Sequence, residues 1–196
     1  MTVILASASR ARQRLLAAAG LNFEIAPPSA NEEAAKATYR AGGLKPIAQA
    51  EALAELKALS ISSQREGWVI GADQMLALDG RPFDKPADTA QAREQLQMLR
   101  GMTHELLTAI VVSQGEKIVW RHVATPRLSM RNFSDAFLDD YLQSAGAGAL
   151  TSVGAYQLEG LGAQLFERVE GDYFSVLGLP LLPLLGFLRE QGVIGK

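Results

Sequence analysis

Val3-Ile4-Leu5-Ala6-Ser7-Ala8-Ser9 opens the pattern that decides the fold. Four apolar residues bounded by small polar ones read as a short buried strand. Arg10 to Ala19 continues with helical spacing, with Leu15, Leu16 and Ala19 on one face and Gly20 as its stop. Phe23 to Ala26 reads as a second strand, ended by Pro27-Pro28. Ser29 to Gly43 is small and polar, a mobile loop by composition. Pro46 to Leu59 is helical, Trp68 to Ala72 a third strand and Met75 to Leu78 a fourth, before the tight-turn pair Asp79-Gly80. Thr89 caps a helix to Leu99, with Gly101 beyond its end.

Further on, Leu106 to Val112 and Lys117 to Thr125 flank Ser113-Gln114-Gly115-Glu116 as a hairpin. Ser134 caps a helix from Asp135 to Ser144, which Gly146 to Gly148 breaks. Gly154 to Leu158 and Gln164 to Arg168 read as short strands, and Leu181 to Gln191 as a closing helix. Strands alternating with helices, then hairpins, predict an α/β fold with a mixed twisted sheet flanked by helices. No repeat or linker divides the chain, so the expectation is one domain over 1–196, two-lobed with a central cleft.

The chain has 196 residues, a formal net charge of -2 and no cysteine. A chain this long buries roughly 70% of its unfolded surface, so no staple is needed. The missing cysteine excludes disulfides, thiolate metal sites and a cysteine nucleophile. Only His104 and His122 are present, which argues against a histidine-rich zinc site. Nineteen basic against 21 acidic residues leave no basic footprint for duplex nucleic acid. The apolar start precedes the first arginine, the wrong order for a signal peptide. Val176 to Leu188 is interrupted by Gly178, Pro180, Pro183 and Gly186, and no run reaches the ~20 residues of a membrane helix. A cytoplasmic protein is expected.

Four constellations can carry chemistry. Ser7-Ala8-Ser9 leads from a strand into a helix bearing Arg10, Arg12 and Arg14. Free N–H groups at a helix start, two hydroxyls and guanidinium donors suit phosphate. Ser9 as a plain cap beneath a solvated arginine face is the other reading, although basic residues in a first turn oppose the helix dipole. Ile70-Gly71-Ala72-Asp73-Gln74 puts a carboxylate at a strand end, where open sheets place ligands, or simply at a turn. Lys85, before Pro86, projects from an extended loop toward ligand or solvent. Gly154-Ala155-Tyr156-Gln157-Leu158-Glu159-Gly160 sets an acid among glycines, against a flat ligand or in an exposed turn. His104 has no evident partner, and Tyr173, Phe174 and Phe187 read as core.

Together, Leu5-Ala6-Ser7-Ala8-Ser9, Gly71-Ala72-Asp73-Gln74, Lys85-Pro86, Gly101 with His104, Gly154-Ala155-Tyr156, Gly171-Asp172-Tyr173 and Gly178-Leu179-Pro180 resemble the Maf family of nucleoside triphosphate pyrophosphatases. The resemblance runs from Leu5 to about Leu188. It implies an elongated α/β fold similar to inosine triphosphate pyrophosphatases. It also implies hydrolysis between the α and β phosphorus atoms, a divalent cation (Mg or Mn) and a homodimer. Modified nucleotides are the implied substrates, and some members are linked to arrest of cell division.

Residue by residue, Asp73 matches the catalytic acid, as base or as metal ligand. Ser7, Ser9 and Arg12 fall in the phosphate loop, with Lys57 and Lys85 as further phosphate contacts. Glu32 matches a metal-side acid, whose usual acidic neighbour is here Asn31. The usual Pro-Arg-Arg after the second serine is here Arg10-Ala11-Arg12, which keeps only the second arginine in register. Base choice is associated with the positions of Ala11, Gln74 and Glu159. The thymidine- and uridine-preferring branch has Arg, Thr and Gln there, and the 7-methyl-GTP branch Trp, Gln and Glu. Gln74 and Glu159 match the second branch and Ala11 matches neither. The expected substrate is therefore a purine triphosphate of the 7-methyl-GTP kind. The alternatives are a dTTP/UTP pyrophosphatase, a nucleotide-binding regulator of division without required turnover, and an α/β module whose motifs are only turns and caps.

Overall fold

The structure, a computed structural model, describes residues 2–195. Met1 and Lys196, the ends of the expected single domain, lie outside the described residues. The strands are β1 (Val3–Leu5), β2 (Glu24–Ile25), β3 (Trp68–Leu78), β4 (Arg81–Phe83), β5 (Thr103–Gln114), β6 (Lys117–Ala124), β7 (Arg127–Met130) and β8 (Phe166–Glu170). The helices are α1 (Arg10–Ala18), α2 (Glu32–Ala41), α3 (Pro46–Ser62), α4 (Thr89–Leu99), α5 (Asp135–Ala145), α6 (Tyr173–Val176) and α7 (Leu181–Glu190). The ladder runs β2-β1-β3-β5-β7-β8, with β4 on β3 and β6 on β5. β1 is parallel to β2 and β3, whereas β3–β4, β5–β6, β5–β7 and β7–β8 are antiparallel, so the sheet is mixed as expected.

Two compact units divide the chain. The first holds residues up to Gln74, Thr108–Ala124 and the chain from Asp172. Leu5, Leu16, Ile70, Ile110, Val112, Leu184 and Leu188 lie at its centre with no more than traces of exposed surface. Burying each such side chain contributes about 1.5–3 kcal/mol. The closest fit is at Gly71: a Cβ there would run into the Ala54 carbonyl and lie 2.8 Å from the Ala58 Cβ. Glycine is needed because α3 lies directly on β3. The second unit holds Met75–Leu107 and Thr125–Gly171, and buries Leu96, Leu99, Leu106, Leu128, Leu138 and Leu165.

Several elements differ from the sequence expectation. Ser29–Gly43 is not a loop but contains α2. Asn31 Oδ1 accepts from Ala34 N at 3.0 Å, Glu32 and Glu33 sit in the first turn, and Arg40 in the last. Cap and charges all complement the helix dipole. No α2 residue is buried, so there was no apolar stripe to read. Trp68–Ala72 and Met75–Leu78 are one strand, and Asp73 lies in its interior rather than at its end. The N-cap of α4 is Asp88, whose carboxylate accepts from Gln91 N at 2.8 Å, not Thr89. Residues Val153–Ala155 form a tight 3-10 turn in place of a strand. β7 and β8 pair from Arg127↔Glu170 onward, and β7, four residues long, gave no pattern. Tyr173 is exposed at 48% rather than core, while Phe187 is buried. No helix of the described residues is long and apolar enough to cross a membrane.

Candidate active site

Lys57 is the centre of the polar group in the first unit. It sits on α3 between Ala54 and Ala58, the two small residues that let the helix close on Gly71. That approach sets its ammonium beside Asp73, two residues along β3 from Gly71 and so on the same face. Lys57 Nζ lies 2.7 Å from Asp73 Oδ1 and 2.8 Å from Glu32 Oε2, the latter carried by the first turn of α2. Lys57 and Asp73 are 6% and 7% exposed, so the charges are held by one another rather than by water. Gly71 therefore admits the helix that carries Lys57.

The Ser7-Ala8-Ser9 loop is organised from below. Ser9 caps α1 by accepting from Arg12 N. Arg12, the buried arginine of the three, donates Nη1 to Ser7 Oγ at 3.3 Å and to Ala72 O at 2.9 Å, and Nε to Gly178 O at 2.8 Å. Burial lowers its pKa while Asp73 and Glu32 oppose the shift. Arg12 thus ties the serine loop to β3 and to the turn after α6. Arg10 and Arg14 are exposed, and Ala11 is half-buried on α1.

Gln74 follows Asp73 but points to the other face, as strand geometry requires. Its Nε2 lies 2.8 Å from Thr108 Oγ1, 3.0 Å from Ser175 O and 3.2 Å from Val176 O. The Thr108 hydroxyl donates to Ser175 O, so it can only accept from Gln74, and that fixes the amide with Nε2 toward Thr108 and Oε1 on the side of Gly178. Thr108, Ser175 and the Gly178 carbonyl were not legible as site residues. Asp172 Oδ2 accepts from Ser175 N at 2.8 Å and from its hydroxyl at 2.7 Å, which caps α6.

Lys85 and Glu159 belong to the second unit, and both are exposed. Gln95 Nε2, on α4, donates to Asp84 O at 3.0 Å and holds the loop that carries Lys85. His104, without an evident partner in sequence, is 1% exposed and its Nε2 lies 2.7 Å from Tyr156 Oη. Burial lowers the His104 pKa to about 4 and raises that of Tyr156, so both are neutral near pH 7.

Asp73 and Glu32 are two hard oxygen donors converging on one cationic atom. Among the described residues no group of three or more His, Cys, Asp and Glu could hold a metal ion. A pair of carboxylates completed by substrate phosphates is how Mg²⁺ is commonly bound, so these residues fit a hard divalent cation and not zinc.

The first unit thus gathers a buried lysine between two acids beside a serine loop held by a buried arginine. The model of the family described as Maf-like protein matches residues 2–191. The chain is 52% identical to a nucleoside triphosphate pyrophosphatase of Hyphomonas neptunium, over 99% of this chain and 98% of that one. It is 53% identical to another of that name from Paramagnetospirillum magneticum, over 96% and 98%. It is also 49% identical to a 7-methyl-GTP pyrophosphatase of Rhizobium meliloti, over 98% and 97%. The chain belongs to the Maf family.

Proposed function

We propose that this chain, a nucleoside triphosphate pyrophosphatase by kinship, takes a purine triphosphate of the 7-methyl-GTP kind. Water adds across the α–β anhydride, the bridging P–O bond breaks, and nucleoside monophosphate, pyrophosphate and one proton result. The observation that carries the hydrolase part of this reading is the convergence of Asp73 and Glu32 on Lys57, two carboxylates and a lysine that would suit a polyphosphate accompanied by a divalent cation. Asp73 meets Lys57 through Oδ1, which leaves Oδ2 to orient the attacking water and take its proton, or to ligate a cation. Asp73 and Glu32 would hold Mg²⁺ or Mn²⁺, which supplies neutralisation of phosphate charge and a more acidic water.

Ser7, Ser9, Arg12, Lys57 and Lys85 are assigned to the phosphates. Arg12 does so chiefly by fixing the serine loop. Gln74 Oε1 and the Glu159 carboxylate are acceptors, which suit the N1–H and amino donors of a guanine edge. Ala11 offers no aromatic platform for a methylated purine, so discrimination for the methyl group is loose. A homodimer in the cytoplasm belongs to the same proposal, and sedimentation equilibrium tests its stoichiometry.

Pyrophosphate release from 7-methyl-GTP, GTP, dTTP and UTP with Mg²⁺ or Mn²⁺ is the test. The reading expects kcat/KM highest for the two guanine nucleotides. Preference for dTTP or UTP would overturn the base assignment and leave the enzyme class standing. A chain that binds nucleotide without turnover would favour the regulator.

A further inference from the structure

In the second unit the backbone turns at Gly154 and Ala155 with φ of 78° and 62°. The first is normal for glycine. The second, in a non-glycine residue that is fully buried, is strained and is stable only where surrounding groups over-determine it. Those groups are visible. A Cβ at Gly154 would lie 2.6 Å from Leu76 Cδ1 and 2.7 Å from Tyr156 Cε1, so only glycine fits. Tyr141 Oη donates to Ala155 O at 2.9 Å, and Ser152 Oγ donates to Tyr156 O. The Tyr156 ring meets Phe166 edge-on with centroids 4.8 Å apart, and its hydroxyl reaches His104 Nε2 at 2.7 Å. Gln157 Nε2 donates to Thr151 Oγ1 at 2.9 Å.

The other ring nitrogen, His104 Nδ1, is buried with no hydrogen-bond partner. A phenylalanine could fill that space without leaving a nitrogen unpaired. The His104–Tyr156 bond is therefore kept at a desolvation cost, which points to position rather than bulk as its purpose. Glu159 stands three residues beyond Tyr156, exposed, on the segment that this clamp anchors.

We infer that His104 and Tyr156, helped by Tyr141, are positioning residues that fix the strained Gly154–Ala155 turn so that Glu159 is presented to the nucleotide base. This rests on the reading of Glu159 as a base selector. The clamp touches neither substrate nor reacting atoms. It acts on KM and on the choice between bases, not on the chemical step.

The experiment compares Tyr156→Phe, His104→Phe, the double variant and Glu159→Gln, using kcat and KM for GTP and UTP, with thermal unfolding alongside. Tyr156→Phe lowers the GTP/UTP ratio of kcat/KM by about tenfold through KM for GTP, with kcat at saturation within about twofold. The double variant is no worse than either single one, because the two groups serve one bond. His104→Gln keeps a hydrogen-bonding side chain and restores part of the ratio, and it replaces Tyr156→Phe in the comparison if that variant fails to fold. A folded Tyr156→Phe or His104→Phe with an unchanged ratio overturns the clamp, provided Glu159→Gln alters it. So does an equal loss of kcat for both nucleotides. If Glu159→Gln and the clamp variants all leave the ratio unchanged, the base-selector reading falls and the clamp with it.

Discussion

The polar group around Lys57 and the clamp around Tyr156 bury polar atoms to a similar depth by opposite means. Lys57, Asp73 and Glu32 are formally charged and sit on regular elements, α3, β3 and α2. His104, Tyr156 and Tyr141 are neutral near pH 7, and two of them hold a stretch of irregular backbone. A buried charge persists only with its counter-charge, so such a group is rigid in composition and costly to break. A neutral pair is cheaper to remove, but the backbone that it restrains is then free to relax. The first arrangement suits chemistry on an anionic substrate, and the second suits the shaping of a recognition segment.

Breaking the charged group has the largest expected effect. Lys57→Met leaves the buried Asp73 carboxylate without its counter-charge, beside a Glu32 that is about one-third exposed, and destabilises the fold by about 3 kcal/mol, read by urea unfolding. Lys57→Met with Asp73→Asn recovers part of that loss, because one stranded charge is gone. Asp73→Asn alone lowers turnover by ~100-fold or more while nucleotide still binds, measured by pyrophosphate release and by calorimetry. Near-normal turnover of the folded variant removes Asp73 from the mechanism.

Arg12 and Lys85 sharpen the comparison, because the sequence placed both on phosphate. Arg12→Ala strands the Ala72 and Gly178 carbonyls, costs about 2 kcal/mol or more of stability, and lowers activity toward every triphosphate. Lys85→Ala, at an exposed loop position, lowers activity just as evenly but leaves stability within about 0.5 kcal/mol. Matched unfolding curves for the two variants separate a buried arginine built into the fold from a lysine on an exposed loop position.

The second unit responds to pH through His104. Its folded pKa is about 4, below the ordinary 6.5, so between these values the unfolded chain binds the proton and the folded one does not. Its contribution is fully present above pH 6.5 and is lost as pH falls toward 4, by roughly 3 kcal/mol at most. His104→Phe removes that part of the slope, and pH-dependent melting of the two proteins reads the difference. The smallest effect belongs to surface pairs such as Arg121–Glu55, at 2.7 Å but largely hydrated, where Glu55→Ala costs about 0.5 kcal/mol.

The buried strands and capped helices were legible because hydrophobic runs and stop residues are local. Ser9, Gly20 and Ser134 act as read. α2 was not, because it buries nothing and its signal is electrostatic. Asp73 and Gln74 looked like a break in a strand, because polar residues inside β3 are stabilised by Lys57 and Thr108, partners that lie 16 and 34 residues away. The order of short motifs brought out Asp73, Lys57 and Glu32 as candidates, and the structure joins them. It also moved Arg12 toward structural support. The partnership of His104 with Tyr156 was hidden for the same reason as β7: it depends on a long-range antiparallel pairing that no local pattern announces.

The central claim is that the Asp73 group cleaves the α–β anhydride of a guanine nucleotide. Phosphorus NMR of GTP hydrolysis by the wild-type chain and by Asp73→Asn tests it most directly. The account predicts GMP and pyrophosphate in equal amounts from the wild type and almost none from the variant over the same time. GDP with inorganic phosphate, or an undiminished yield from Asp73→Asn, would contradict it.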